Sequence, residues 1–257
     1  MYPYPTYVPN TAAAACAATV VGISMIAWLI QSIQTRFQPR RASFLILGSH
    51  LAIFLELAIR AATKNSENSS ILFSVITGLF TIGVRMVIMS NFSFVLEVHH
   101  EQTRLARGIF ICAIITVITS AILMIPANIT SFEPDGVDKS FLYRRISASI
   151  LIAVTVGFYV ILCWSKTIKD MTISAIILIM VSSTFCLTVA IINLAQAISV
   201  NYYEDVNSEE AWFYGLAMGP LILTHIAWSF FHPKRSLKSS ETNNEQQHLL
   251  NRFDADQ

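Results

Sequence analysis

Glu56 and Arg60 interrupt the apolar run Ser49–Ala62, SHLAIFLELAIRAA, which is otherwise suited to the interior of a membrane. A charge at bilayer depth costs about 3 kcal/mol on insertion scales, so residues of this kind pair with one another or face a water-filled cavity. Four positions is close to one helical turn, which sets Glu56 and Arg60 on one face, where each neutralises the other. Arg60 also stands near the end of its run, where a long stem lets a guanidinium reach the interface; Glu56 has no such escape. Arg85, in TIGVRMV, falls at mid-depth of the next run and needs a partner. Glu56 is the expected one, with the Arg85 stem bridging a difference in depth set by the ~1.5 Å helical rise per residue. The chemistry open to this set is counter-ion chemistry: a carboxylate kept ionised inside a bilayer binds a cation or a cationic head group. Asn193 and Gln196 on the sixth run, with Glu209, Glu210 and Trp212 at the start of the seventh, would line a polar vestibule with Glu56, open to the outer leaflet. For Asn193 and Gln196 the competing role is plain interhelical hydrogen bonding, at about 0.6 kcal/mol each. Two leucines would pack helices without desolvating two charges, which favours a functional cavity for Glu56 and Arg85.

These residues need membrane helices to position them. Hydrophobic residues make up 54% of the chain and charged ones 13%, with a mean hydropathy of +0.57, too apolar for an ordinary soluble domain. The expected fold is all-α: a polytopic bundle of seven transmembrane helices at about 12–34, 43–62, 71–97, 108–127, 146–165, 171–197 and 211–231, each near the ~20 residues a bilayer requires. A short extracellular segment, 1–11, precedes the bundle, and a polar cytosolic tail, 232–257, follows it. The first basic residue is Arg36, so no basic region leads the first run and that run is expected to stay as a helix. Tyr and Pro crowd the lead-in MYPYPTYVPN, as an interfacial anchor would.

Charge sets the orientation. Arg36, Arg40, Arg41, Arg104, Arg107, Lys166, Lys169, Lys234, Arg235 and Lys238 fall on one side, against Lys64, Lys139, Arg144 and Arg145 on the other. The positive-inside rule then places the N-terminus outside and the C-terminus in the cytosol. Asn68 (NSS) and Asn128 (NIT) are glycosylation acceptors on the expected outside, whereas Asn91 (NFS) lies within a helix and stays silent. In the tail, Glu245 with Leu249 and Leu250 matches an acidic dileucine signal for an endocytic adaptor, or else a short frayed helix end.

The remaining motifs narrow the class. Cys16, Cys112, Cys163 and Cys186 all sit in apolar runs, which excludes a disulfide framework and reads as small buried hydrophobes. EVHHE, at Glu97–Glu101, has metal-ligand residue types without the HExxH spacing, so no metal is expected. No P-loop, catalytic triad or hydrolase elbow occurs, and the net charge of +1 says little about partners, so no nucleic-acid partner is expected from it. The chain is therefore expected not to be an enzyme and to need no cofactor. The seventh run lacks the lysine a retinal Schiff base requires, and LEVHHEQTR and WSFFHPK replace the helix 3 and helix 7 endings of rhodopsin-like receptors. Gly215 and Gly219, four apart, permit close helix contact, and Pro220 kinks the seventh run as a candidate hinge. His225, one turn further on, is expected to hydrogen-bond a neighbour.

The segment Glu210–Leu237, EAWFYGLAMGPLILTHIAWSFFHPKRSL, resembles the closing helix of the fungal lipid-translocating exporter-like family, named for resistance to aminocholesterol. Glu210, Tyr214, His232 and Pro233 match its acidic entry, its tyrosine and its His-Pro end; Tyr7, Pro9 and Asn10 match its Tyr-x-Pro-Ser/Asn start. Glu56 corresponds to its acidic residue in helix 2, and Gly83 with Arg85 to its Gly-Arg in helix 3. The family's helix 4 Asp has no counterpart in GIFICAIITVITSAILM, Ala217 stands for its helix 7 Asp, and the stretch around Asn193 replaces its helix 6 Arg and Glu. The resemblance implies a plasma-membrane or vacuolar protein, endosomal membranes being a further possibility, linked to export of sphingoid bases and resistance to toxic lipids. The expected function is ATP-independent movement or sensing of an amphipathic lipid. Glu56 is the expected counter-ion, Arg85 the group that holds it ionised, Arg60, Asn193, Gln196, Glu210 and Tyr214 the cavity, and Gly219 with Pro220 the hinge. The alternative is a seven-helix receptor or regulator acting through its cytosolic loops and tail.

Overall fold

The computed structural model describes residues 10–63, 70–98, 104–133, 135–164, 171–198 and 213–231. Tyr7, Pro9, Lys64, Asn68, Lys166, Lys169, Glu209, Glu210, Trp212, His232, Pro233 and the tail motif of Glu245, Leu249 and Leu250 lie outside the described residues, as does most of EVHHE. Within them the chain forms α1 (Thr11–Gln34), α2 (Arg40–Ala62), α3 (Ser70–Val98), α4 (Arg104–Ile122), α5 (Met124–Thr130), α6 (Val137–Trp164) and α7 (Ile173–Ile198). A π-helical turn (Phe213–Met218) then runs into α8 (Gly219–Phe230), and no strand occurs among the described residues. Seven helical spans are long and apolar enough to cross a membrane, with α4 and α5 forming one of them and the π-helical turn and α8 another.

Local chemistry explains the ends and breaks. Asn10 caps α1, its Oδ1 accepting from the Ala13 N–H at 3.1 Å. Beyond α1 the chain turns through left-handed Arg36 and Phe37 (φ 55° and 52°), and the Phe37 N–H reaches back to the Ser32 carbonyl. Pro126 has no N–H for the Ile122 carbonyl, so the fourth span breaks at Leu123 and resumes as α5. That span therefore runs on to Thr130, past the expected end at 127. The fifth span starts at Val137, not at 146, because Ser140 and Arg144 bond back onto α5 and carry the helix out to that point.

α2 is the central helix, packed most extensively against α3 and α1, while α8 closes the bundle between α1 and α7. Half of the central window of α2 is buried, against 17% for the α4–α5 span at the periphery. The large side chains turned outward, among them Ile23, Ile71, Ile115, Val160 and Phe230, are apolar, as a face against lipid chains requires. Of the four cysteines only Cys186 is buried; Cys16, Cys112 and Cys163 are exposed on outer faces, where a small apolar group faces lipid without cost, so the expectation of four buried thiols is corrected.

α2 and α3 approach most closely at Gly83. A Cβ added there would lie 2.5 Å from Ile53 Cδ1, and Ile53 is fully buried. Gly83→Val is expected to force the two helices apart and cost about 1–3 kcal/mol, read as a lower melting temperature of the purified protein in detergent.

Candidate functional site

Among the described residues several polar clusters are buried in the bundle, and three of them bear on the site; the first holds Glu56 and Arg60. Glu56 is fully buried and Arg60 nearly so. Their positions on one face of α2 let Arg60 Nε donate to Glu56 Oε1. The Arg60 guanidinium lies 4.3 Å from the centroid of the Phe213 ring on the π-helical turn, a cation–π contact in a desolvated setting. Phe213 packs in turn on Phe80 at 5.9 Å and on Tyr214 at 5.3 Å. The second carboxylate oxygen, Glu56 Oε2, has no hydrogen-bond partner among the described residues. A buried acceptor left in that state costs about 1–3 kcal/mol, and more when it is charged. The arrangement is a half-satisfied carboxylate whose Arg60 partner rests on an aromatic ring, chemically suited to take a proton or an N–H donor of a cation.

Of the residues expected to line a vestibule with Glu56, Glu209, Glu210 and Trp212 lie outside the described residues. Asn193 and Gln196 are half-buried on α7 and make no hydrogen bond to one another or to Glu56. Phe213 belongs to the irregular start of the seventh span. Pro220 lacks the N–H that would bond Leu216, and the preceding turn widens into π geometry instead of continuing as α. Gly219 suits that widened turn: an added Cβ would stand 3.0 Å from the Tyr214 carbonyl oxygen. Gly215 is exposed, with nothing within 4 Å of an added Cβ. The expected close helix contact through Gly215 and Gly219 is therefore not made, since one glycine faces outward and the other serves its own backbone.

The second cluster surrounds Arg85, buried midway along α3. Its Nη2 donates to Ser120 Oγ and Ser147 Oγ, both at 2.7 Å, and to the Ser120 carbonyl at 3.0 Å. Nη1 donates to the Thr81 carbonyl at 3.0 Å, and Nε to Ser120 Oγ at 3.2 Å. The expected Glu56–Arg85 pair is not formed. Arg60 reaches the carboxylate from one turn away on the same helix, needing no match in depth, while the Arg85 stem points toward α4 and α6, where two serines face each other. Ser120 and Ser147 hardly alter the hydropathy of their apolar runs; their shared mid-depth position is the signal the sequence carries.

The third cluster joins α1, α2, α3 and α8 around His50 and His225. His50 Nε2 lies 3.1 Å from Ser24 Oγ, which is 2.8 Å from Ser229 Oγ. His225 Nε2 lies 2.8 Å from Ser49 Oγ, which also reaches the Gly83 carbonyl at 2.8 Å. The two rings meet edge to face, 4.2 Å apart. Each Nδ1 faces the carbonyl one turn back, Ile46 at 2.9 Å and Leu221 at 2.8 Å, so each Nδ1 donates there and each Nε2 is left facing a serine hydroxyl. His225 thus bonds its neighbours, as its setting suggested. His50 lies inside Ser49–Ala62, where the charges of Glu56 and Arg60 are the stronger sequence signal.

Asn128 departs from its expected role. It lies within α5, only 6% exposed, and its Oδ1 accepts from Arg144 Nη2 at 2.8 Å. A helical, buried and hydrogen-bonded amide does not offer itself to a glycosyltransferase, because the sequon has to be presented on an accessible loop. Asn91 is likewise buried in α3, bonded to Ser182 and Ser183. Among the described residues no group of three His, Cys, Asp or Glu side chains is arranged to hold a metal ion. Comparison with family models, with curated proteins and with solved structures found no match to this chain, so its geometry and sequence are what its functional reading stands on.

Proposed function

We propose that this chain is an ATP-independent membrane protein that binds and moves an amphipathic lipid with a cationic head, with Glu56 as the counter-ion. The observation that carries this reading is Glu56 Oε2, fully buried and without a hydrogen-bond partner among the described residues. An ammonium head group supplies the donor this oxygen lacks and competes with Arg60 for Oε1. Arg60, near the end of α2, has a stem long enough to carry its displaced guanidinium toward the interface. Phe213 packs on the Arg60 side of the pair, on a π-helical turn that Pro220 keeps out of regular α geometry, and movement of this turn frees Arg60 and opens the path to the head group. The resemblance to the lipid-translocating exporter-like family supports a sphingoid base as the lipid and the plasma membrane as the location. The basic residues around Arg36–Arg41 and Arg104–Arg107 support an orientation with that end in the cytosol.

Release of a labelled long-chain sphingoid base from cells, compared at matched surface expression, tests the proposal. Glu56→Gln keeps the shape and removes the charge, and it is expected to lower protein-dependent release about tenfold or more, the effect of losing about 1.4 kcal/mol of differential binding. Release equal to that of the parent protein would refute the counter-ion role and turn attention to signalling through the cytosolic loops and tail.

A further inference from the structure

At the end of the bundle away from Glu56, a groove of about 530 Å³ opens between α3, α4 and α6. Arg104, Gly108, Cys112 and Thr116 line it at every fourth position of α4, which makes one continuous stripe. Val154, Gly157 and Ile161 face them from α6, and Phe92 of α3, its ring 4.8 Å from that of Phe158, forms the floor. A Cβ built on Gly108 or on Gly157 meets nothing within 4 Å, so two absent side chains open the groove. From Arg104 to Thr116 it runs about 18 Å at the α-helical rise, close to half of the ~30 Å hydrocarbon core. The groove therefore has a cationic mouth at the interface and an apolar body one leaflet deep. Arg41 and Arg107 stand at the same end of the bundle, and Glu97 there is turned to the start of α2, accepting from the Arg41 N–H at 3.0 Å.

We propose that this groove seats a phospholipid of net negative charge, with its phosphate on Arg104 and one acyl chain between Gly108 and Gly157. The site is opposite in charge preference to Glu56 and does not depend on the transport reading. The full chain carries its own reporter: Cys112 lines the groove, Cys186 is buried, and Cys16→Ser with Cys163→Ser leaves Cys112 as the exposed thiol. In detergent, dioleoylphosphatidylglycerol is expected to slow alkylation of Cys112 by an apolar maleimide about fivefold more than the same amount of dioleoylphosphatidylcholine, the discrimination one basic residue gives toward an anionic lipid. Arg104→Gln should erase the difference between the two lipids. Gly157→Leu should fill the groove and abolish co-purification of phosphatidylglycerol with the melting temperature unchanged. Inorganic phosphate alone should leave Cys112 unprotected, because Cys112 lies about 12 Å along α4 from Arg104. Equal protection by the two lipids, discrimination that survives Arg104→Gln, or protection by phosphate alone would overturn the proposal, the last by pointing to a free-anion site.

Discussion

Alanine at both Ser120 and Ser147 is expected to destabilise the protein by about 3 kcal/mol, the scale of removing hydrogen bonds to a buried charged group, which are worth about 1.5–3 kcal/mol. Arg85 places three of its five hydrogen bonds on these two hydroxyls, and the other two on the Ser120 and Thr81 carbonyls, which alanine leaves in place. The double substitution removes both hydroxyls and keeps the buried guanidinium. Arg85→Met is expected to behave differently, within about 1 kcal/mol of the parent, since an apolar side chain in place of a buried charge is often neutral or stabilising. The serines do not need Arg85, because each hydroxyl also reaches the other's carbonyl, at 2.8 and 3.3 Å. Adding Arg85→Met to the double-alanine protein should therefore restore most of the lost stability, as read by reversible unfolding in mixed micelles. A loss that persists in the triple variant would assign the serines a packing role independent of the charge.

Pro220→Ala is expected to move stability and transport in opposite directions. Restoring the missing N–H lets the Leu216 carbonyl pair and favours regular α-helix through the seventh span, a gain of up to about 3 kcal/mol. The same change removes the reason for the π-helical turn that carries Phe213 over Arg60. With that turn held in a regular helix, release of the sphingoid base should fall about tenfold, equivalent to about 1.4 kcal/mol on the barrier. A variant that is both more stable and fully active would show that the turn does not have to move.

The sequence made the seven apolar runs and the Glu56–Arg60 pair legible, because hydropathy and spacing along one helix depend only on nearby residues. Partners on other helices were not legible in that way. Charge alone pairs Arg85 with Glu56, whereas the hydroxyls of Ser120 and Ser147 hold it. Serine perturbs a hydropathy profile little, and which faces of α3, α4 and α6 meet is decided by packing. The same holds for His50, whose neighbours Ser24 and Ser229 come from opposite ends of the chain. The early start of α6 and the burial of Asn128 share one cause: Arg144 and Ser140 bond back onto α5 and turn an apparent loop into helix.

The most direct test of the counter-ion role is equilibrium binding of a labelled sphingoid base and of its uncharged N-acetylated counterpart to the purified protein, parent and Glu56→Gln. The parent is expected to prefer the cationic lipid about tenfold, a difference of about 1.4 kcal/mol, and Glu56→Gln to bind both with equal affinity. A preference for the cation that survives Glu56→Gln, or a parent protein without any preference, would contradict the assignment of Glu56.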